Sequence, residues 1–118
     1  MSNVLIREKV QPYSMEAEIS VLGSMLIDND TIGLVAQILN ANSFYKTAHI
    51  HIFEAILNLY DKQRVVDLVL LKDELYKRSL LDKVGGFEYL MELEESVPIT
   101  ANVEFYAKIV REKAIKRD

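Results

Sequence analysis

The 118-residue chain contains no cysteine, only two prolines and only four glycines. Without cysteine, disulfides, thiolate metal sites and cysteine nucleophiles are excluded, and a reducing compartment is compatible with the absence. So few glycines and prolines leave little material for turns, which argues against an all-β sandwich or barrel. The opening MSNVLIREKVQPYS lacks an apolar run of signal-peptide length, and nothing elsewhere approaches the ~20 apolar residues of a membrane span. A soluble, cytoplasmic domain with no membrane partner is therefore expected. Positive charge is also in deficit, the formal net charge being -4. Duplex DNA binding draws on a basic face that releases counterions. The balance here favours protein partners and little direct DNA binding.

What is present is apolar and helical. Half the residues are hydrophobic and 27% are charged, a composition that folds. Ser14 is suited to cap a first helix, along which Met15, Ile19, Leu22 and Met25/Leu26 recur at three- and four-residue steps. Asp28-Asn29-Asp30 stops it, with Asp30 expected to cap a second helix carrying Ile32, Val35, Ala36 and Leu39. Phe44 and Tyr45 are expected to plug the core from a loop. A third helix, about 48–62, has the stripe His49, Phe53, Ile56, Leu57 and Tyr60. Asp67 caps a fourth, with Val66 and Leu71 as a hydrophobic staple. A fifth runs from about Phe87 to Ser96 until Pro98 breaks it. Thr100 is expected to cap a sixth, whose stripe is Val103, Tyr106, Ala107, Val110 and Ala114.

The expected fold is all-α: a compact bundle of four helices followed by a two-helix hairpin. Residues 1–13 form an arm, 14–84 the bundle and 85–118 the hairpin. Phe105 and Ile109 lie off the main stripe of the sixth helix, so its apolar surface is wider than one packing face requires. That excess favours pairing of the hairpin with another copy of itself.

Candidate chemistry is thin. Gly85-Gly86 opens a helix, but no Lys, Ser or Thr follows as a P-loop demands, and no G-x-G-x-x-G is present. Glu88 places negative charge where a bound anion would sit. The pair reads as a hinge. His49 and His51 are spaced i, i+2, which cannot present two ligands from one helical face; His49 reads as a packed residue. Asp28 and Asp30 begin like a calcium loop but lack its glycine and closing glutamate. Glu92, Glu94 and Glu95 read as a solvated face, with a basic partner surface as the alternative. Arg111, Lys113, Lys116 and Arg117 complement a helix C-terminus, with a nucleic-acid contact as the alternative. No catalytic, cofactor-binding or metal-binding residue emerges. The residues alone leave open a helical interaction module, a small enzyme with a cryptic site and a weak single-stranded-DNA binder.

Five stretches in register carry a resemblance: PYSMEAEISVLGSMLIDND (12–30), SFYKTAHIHIFEAILNLYDK (43–62), VDLVLLKDEL (66–75), LDKVGGFEYLMEL (81–93) and NVEFYAKIVREKAIKRD (102–118). Together they resemble the N-terminal domain of the DnaB family of bacterial replicative DNA helicases. The resemblance implies a helical bundle with a hairpin, pairing into dimers and a hexameric collar on the helicase ring. It also implies contacts with primase and, in some systems, a helicase loader. By this analogy Phe87, Leu90, Leu93, Val103, Tyr106 and Ile109 are the self-association residues, with Gly85 and Gly86 the hinge. ATP and Mg²⁺ would belong to an ATPase domain absent from these 118 residues, because no Walker motif occurs before Asp118. The chain is thus expected to be a non-enzymatic piece of an ATP-dependent helicase, with REKAIKRD an interrupted helix.

Overall fold

A computed structural model of the chain describes residues 12–97 and 102–118. Its elements, in order, are α1 (Met15–Ile27), α2 (Asp30–Ile38), a 3₁₀ turn (Ala41–Ser43), α3 (Thr47–Gln63), α4 (Leu68–Lys77), α5 (Gly86–Glu95) and α6 (Val103–Arg117). No strand occurs among the described residues, so the fold is all-α with six helices, as the sequence predicts. The first eleven residues of the expected arm, with Pro98 and Thr100, lie outside the described residues.

Several boundaries are set by the expected caps. Ser14 Oγ accepts a hydrogen bond from the Ala17 N–H, and Asp67 Oδ1 accepts one from Leu70. These satisfy N–H groups that the first helical turn leaves without partners. Two caps differ from expectation. Asp30 is the first residue of α2 and does not cap it; its own N–H is held by Asp28 Oδ1 at 3.0 Å. Asn102 caps α6, accepting from the Phe105 N–H at 3.1 Å. Asn29 has a longer-range role. Its side chain donates to the Met25 and Val66 carbonyls and accepts from the Val66 N–H, pinning the approach to α4 onto the end of α1.

The organising element is α1. Of the ten positions from Ala17 to Leu26, all but Ile19 are buried, where a surface helix would bury one side only. The helix is enclosed because α2, α3, α5 and α6 all pack on it. Small residues permit this: Ala17, Ser20, Gly23 and Ser24 let neighbouring backbones come close. A Cβ on Gly23 would collide with the Leu93 carbonyl oxygen and the Val97 side chain.

The last two helices, expected as a hairpin set slightly apart from the bundle, lean on α1. Both α5 and α6 take α1 as their main neighbour, and they do not pack chiefly on each other. Val84, Leu90, Leu93, Val103, Ala107 and Val110 belong to the same apolar core as Leu22, Ile32, Phe53 and Leu75. Helices that share so much core with α1 cannot stand apart from it. Phe44 plugs that core as expected, while Tyr45 is exposed and stacks on Tyr13 with ring centroids 4.3 Å apart.

Candidate functional surfaces and a buried polar chain

The glycine pair is placed by a short turn after α4. Gly85 and Gly86 have φ of 113° and 76°, a region in which a side chain is strained, so glycine is required twice in succession. The Gly85 N–H donates to the Asp82 carbonyl at 3.2 Å, and the Gly86 N–H donates to the Leu81 carbonyl at 2.9 Å. The N–H groups of both glycines are therefore already bonded and are not free to cradle a phosphate.

The residues expected to self-associate divide into two groups. Leu90, Leu93 and Val103 are buried within the chain's own core. The faces of α5 and α6 that carry them meet α1. Phe87, Tyr106 and Ile109 are half-buried at the edge of that core and keep some surface available. Phe87 also lies under Lys72 of α4, whose Nζ is 5.1 Å from the ring centroid.

The exposed apolar surface lies elsewhere. On α6, Phe105 and Ile115 are 59% and 65% exposed; on α4, Val69 and Tyr76 are 66% and 71% exposed. Periodicity had marked Phe105 as off-stripe but gave no signal for Tyr76, which reads as an ordinary residue of an amphipathic helix. Arg117 is not a free cation. Its guanidinium donates to the Pro12 and Ser43 carbonyls, each at 2.9 Å, and lies 5.6 Å from the Tyr45 ring centroid. It fastens the end of α6 to Pro12, just ahead of α1, and to the 3₁₀ turn.

The least expected feature is buried. Glu18 of α1 and His49 of α3 are 1% and 0% exposed, with Nδ1 of the imidazole 2.7 Å from Glu18 Oε1. On its other side, His49 Nε2 lies 2.6 Å from the Tyr89 hydroxyl of α5. The Glu18 carboxylate also accepts the backbone N–H of Tyr45 at 2.8 Å and that of Lys46 at 3.4 Å. Lys46 Nζ donates to the Tyr89 hydroxyl at 3.3 Å. A buried charge is tolerated only when paired and hydrogen-bonded, and here every polar atom has a partner. Sequence reading placed His49 in the core but missed Glu18. The signal was available: Glu18 falls in phase with Met15, Leu22 and Met25, on the inward stripe of α1.

Beside Tyr89 opens a cleft of about 420 Å³, bordered by Lys46, Asp82, Lys83, Glu88 and Glu92. No group of three His, Asp or Glu side chains that could hold a metal occurs among the described residues. Nor is any of the described helices long and apolar enough to cross a membrane.

Comparison with known proteins gives consistent matches. Residues 10–112 match the model of the DnaB-like helicase N-terminal domain. The replicative DNA helicase DnaC of Bacillus subtilis is 41% identical over 113 residues, which is 96% of this chain and 25% of that protein. The replicative DNA helicase DnaB of Geobacillus stearothermophilus is 42% identical, with the same coverage. The chain thus spans about a quarter of the length of these curated relatives. Among solved structures, the N-terminal domain of DnaB helicase from Mycobacterium tuberculosis superposes with a TM-score of 0.88 at 42% identity, covering 92% of this chain and 75% of that one. The N-terminal domain of the Helicobacter pylori DnaB helicase, a structure concerned also with its interactions with primase, shares the fold with a TM-score of 0.70 at 24% identity, covering 86% of this chain and 79% of that one.

Proposed function

Because the chain belongs to the DnaB-like helicase N-terminal domain family, we propose that it is the assembly and regulatory domain of a replicative DNA helicase. In this reading it works in the bacterial cytoplasm during DNA replication. It helps form the collar of a hexameric ring and contributes contacts to primase and, in some systems, to a loader. ATP hydrolysis and unwinding would reside in sequence outside these 118 residues.

The observation that carries the reading is the match along residues 10–112, joined to the large apolar side chains left on the surfaces of α4 and α6. Apolar surface in excess of what folding needs is what a protein-assembly domain presents. Self-association would use Phe105 with the accessible parts of Tyr106, Ile109 and Phe87. Leu90, Leu93 and Val103 would support that surface from beneath. Gly85 and Gly86 would act as the hinge that sets the direction of α5. The primase contact draws support from the work on the H. pylori domain, which has the same fold.

Sedimentation across the micromolar range tests the assembly half: the chain is expected to form dimers or larger species as concentration rises. A strict monomer at the highest concentration would overturn it. Calorimetric titration with primase from the same organism tests the other half, and absence of binding by both the 118-residue chain and the full-length helicase would remove it.

A further inference from the structure

The distances along the buried chain on Glu18 fit donation in a single direction. An ammonium group can only donate, so Lys46 Nζ donates to the Tyr89 hydroxyl oxygen. The single hydroxyl proton of Tyr89 is then directed to the other atom on it, His49 Nε2 at 2.6 Å. With that proton directed to it, Nε2 accepts, and the imidazole hydrogen on Nδ1 is donated to Glu18 Oε1 at 2.7 Å. Glu18 receives two further backbone donors and acts wholly as an acceptor. Donation thus runs one way, from Lys46 through Tyr89 and His49 to Glu18, with His49 neutral.

A second proton on His49 would break this order. Nε2 would become a donor, and the Tyr89 oxygen would face two cationic donors, Lys46 and the imidazolium. Its two lone pairs can take both, but its own proton would lose His49 as acceptor and turn to the cleft. One carboxylate, Glu18, would be left to balance two positive charges. Phe44, the ring packed edge-on to His49, supplies no charge. Lys46 has a place to go, since Asp82, Glu88 and Glu92 border the cleft it already lines.

We propose that Lys46, Tyr89, His49 and Glu18 form a proton-operated latch: with His49 neutral, Lys46 is held at the Tyr89 hydroxyl, and a second proton on His49 turns the His49–Tyr89 bond round and releases Lys46 toward the acidic cleft. Tyr89 lies directly over the glycine turn, its Cβ only 2.8 Å from where a Cβ on Gly85 would sit. A shift of Tyr89 therefore registers at the Gly85–Gly86 turn.

Nitrogen-labelled histidine NMR on the whole chain tests this between about pH 8 and about pH 5, the range in which an imidazole ordinarily titrates. At the upper end His49 is expected as the Nδ1–H tautomer. On acidification its signals and the amides of Gly85 and Gly86 should shift on one titration curve. His51, partly exposed and 3.9 Å from Glu54, reports direct pH effects. In Tyr89→Phe the glycine amides should cease to follow His49. In Lys46→Met, which removes the competing donor, they should follow at less than half the wild-type amplitude. An Nε2–H tautomer, a His49 that stays neutral until the protein unfolds, or glycine amides that still follow His49 in Tyr89→Phe would each overturn the latch. If Tyr89→Phe does not fold, Lys46→Met decides, and an unchanged glycine response overturns it.

Discussion

Gly23 of α1 lies directly against the carbonyl of Leu93 in α5, with no room between the two backbones for a single added carbon. The contact is the reason α5 belongs to the bundle. A helix pair this close gains dispersion along its whole seam and excludes water from Leu90 and Leu93, both buried. Gly23→Ala is expected to destabilise the domain by roughly 1–3 kcal/mol, the usual range for overpacking a filled core. Urea unfolding followed by circular dichroism measures it; an unchanged midpoint would mean that α5 can move off α1 freely.

Core and surface positions on the last two helices should respond oppositely to charge. Leu90→Asp buries an unpaired carboxylate and is expected to unfold the domain or reduce it to a loosely packed state. Phe105→Asp, on exposed surface, should leave the helical signal and unfolding midpoint within about 0.5 kcal/mol of the parent while weakening self-association. Circular dichroism and sedimentation on the same samples separate the outcomes. A well-folded Leu90→Asp monomer would return Leu90 to the interface.

Ser79 ends α4 in a left-handed conformation, φ 60°, with the Leu80 N–H reaching back to the Leu75 carbonyl at 2.8 Å. This is the position after a helix where glycine is usually found. Ser79→Gly should therefore relieve backbone strain and raise stability by up to about 1 kcal/mol. Thermal melting would show it, and a fall in the melting temperature would contradict it.

Glu74 gives the fold an acid-sensitive joint between α3 and α4. Burial pushes its carboxyl upward, but hydrogen bonds from Arg78 and Asn58 and the charges of Arg78 and Lys62 prevail, so its pKa is lowered. Arg78 Nε and Asn58 Nδ2 both donate to Oε2, at 2.8 and 2.9 Å. A folded-state value below the unfolded one means that the unfolded chain binds more protons as pH falls. The stabilisation is thus complete above the ordinary glutamate range, near ~4.3, and is lost as pH falls through the lowered value. Unfolding midpoints of the parent and Glu74→Gln should differ most at neutral pH and converge in acid; parallel pH profiles would exclude this role.

Much of this could be read in one dimension. Spacing of Leu22, Met25, Phe53, Ile56, Leu71 and Leu75 marked helices and their inward faces, because a 3.6-residue period projects directly onto one side. Ser14 and Asp67 marked starts, since a cap acts within three residues of itself. The glycine pair was legible as a turn, because only glycine enters the left-handed region without strain. All of these are local effects, decided by residues a few positions apart.

The sequence by itself thus determined that the described residues form six helices, where most of them begin, and that no P-loop or cysteine chemistry is present. Tertiary structure alone decided which apolar faces were consumed. Leu90, Leu93 and Val103 look like any outward stripe until α1 is seen to be enclosed, and that depends on the small size of Gly23 far away in sequence. The meeting of Glu18, His49 and Tyr89 from three helices was likewise beyond any spacing rule, because hydrogen bonds across 31 and 40 residues leave no period in the chain. Burial and partner choice are properties of the packed whole, and they separated the residues that build this domain from those it has left to offer.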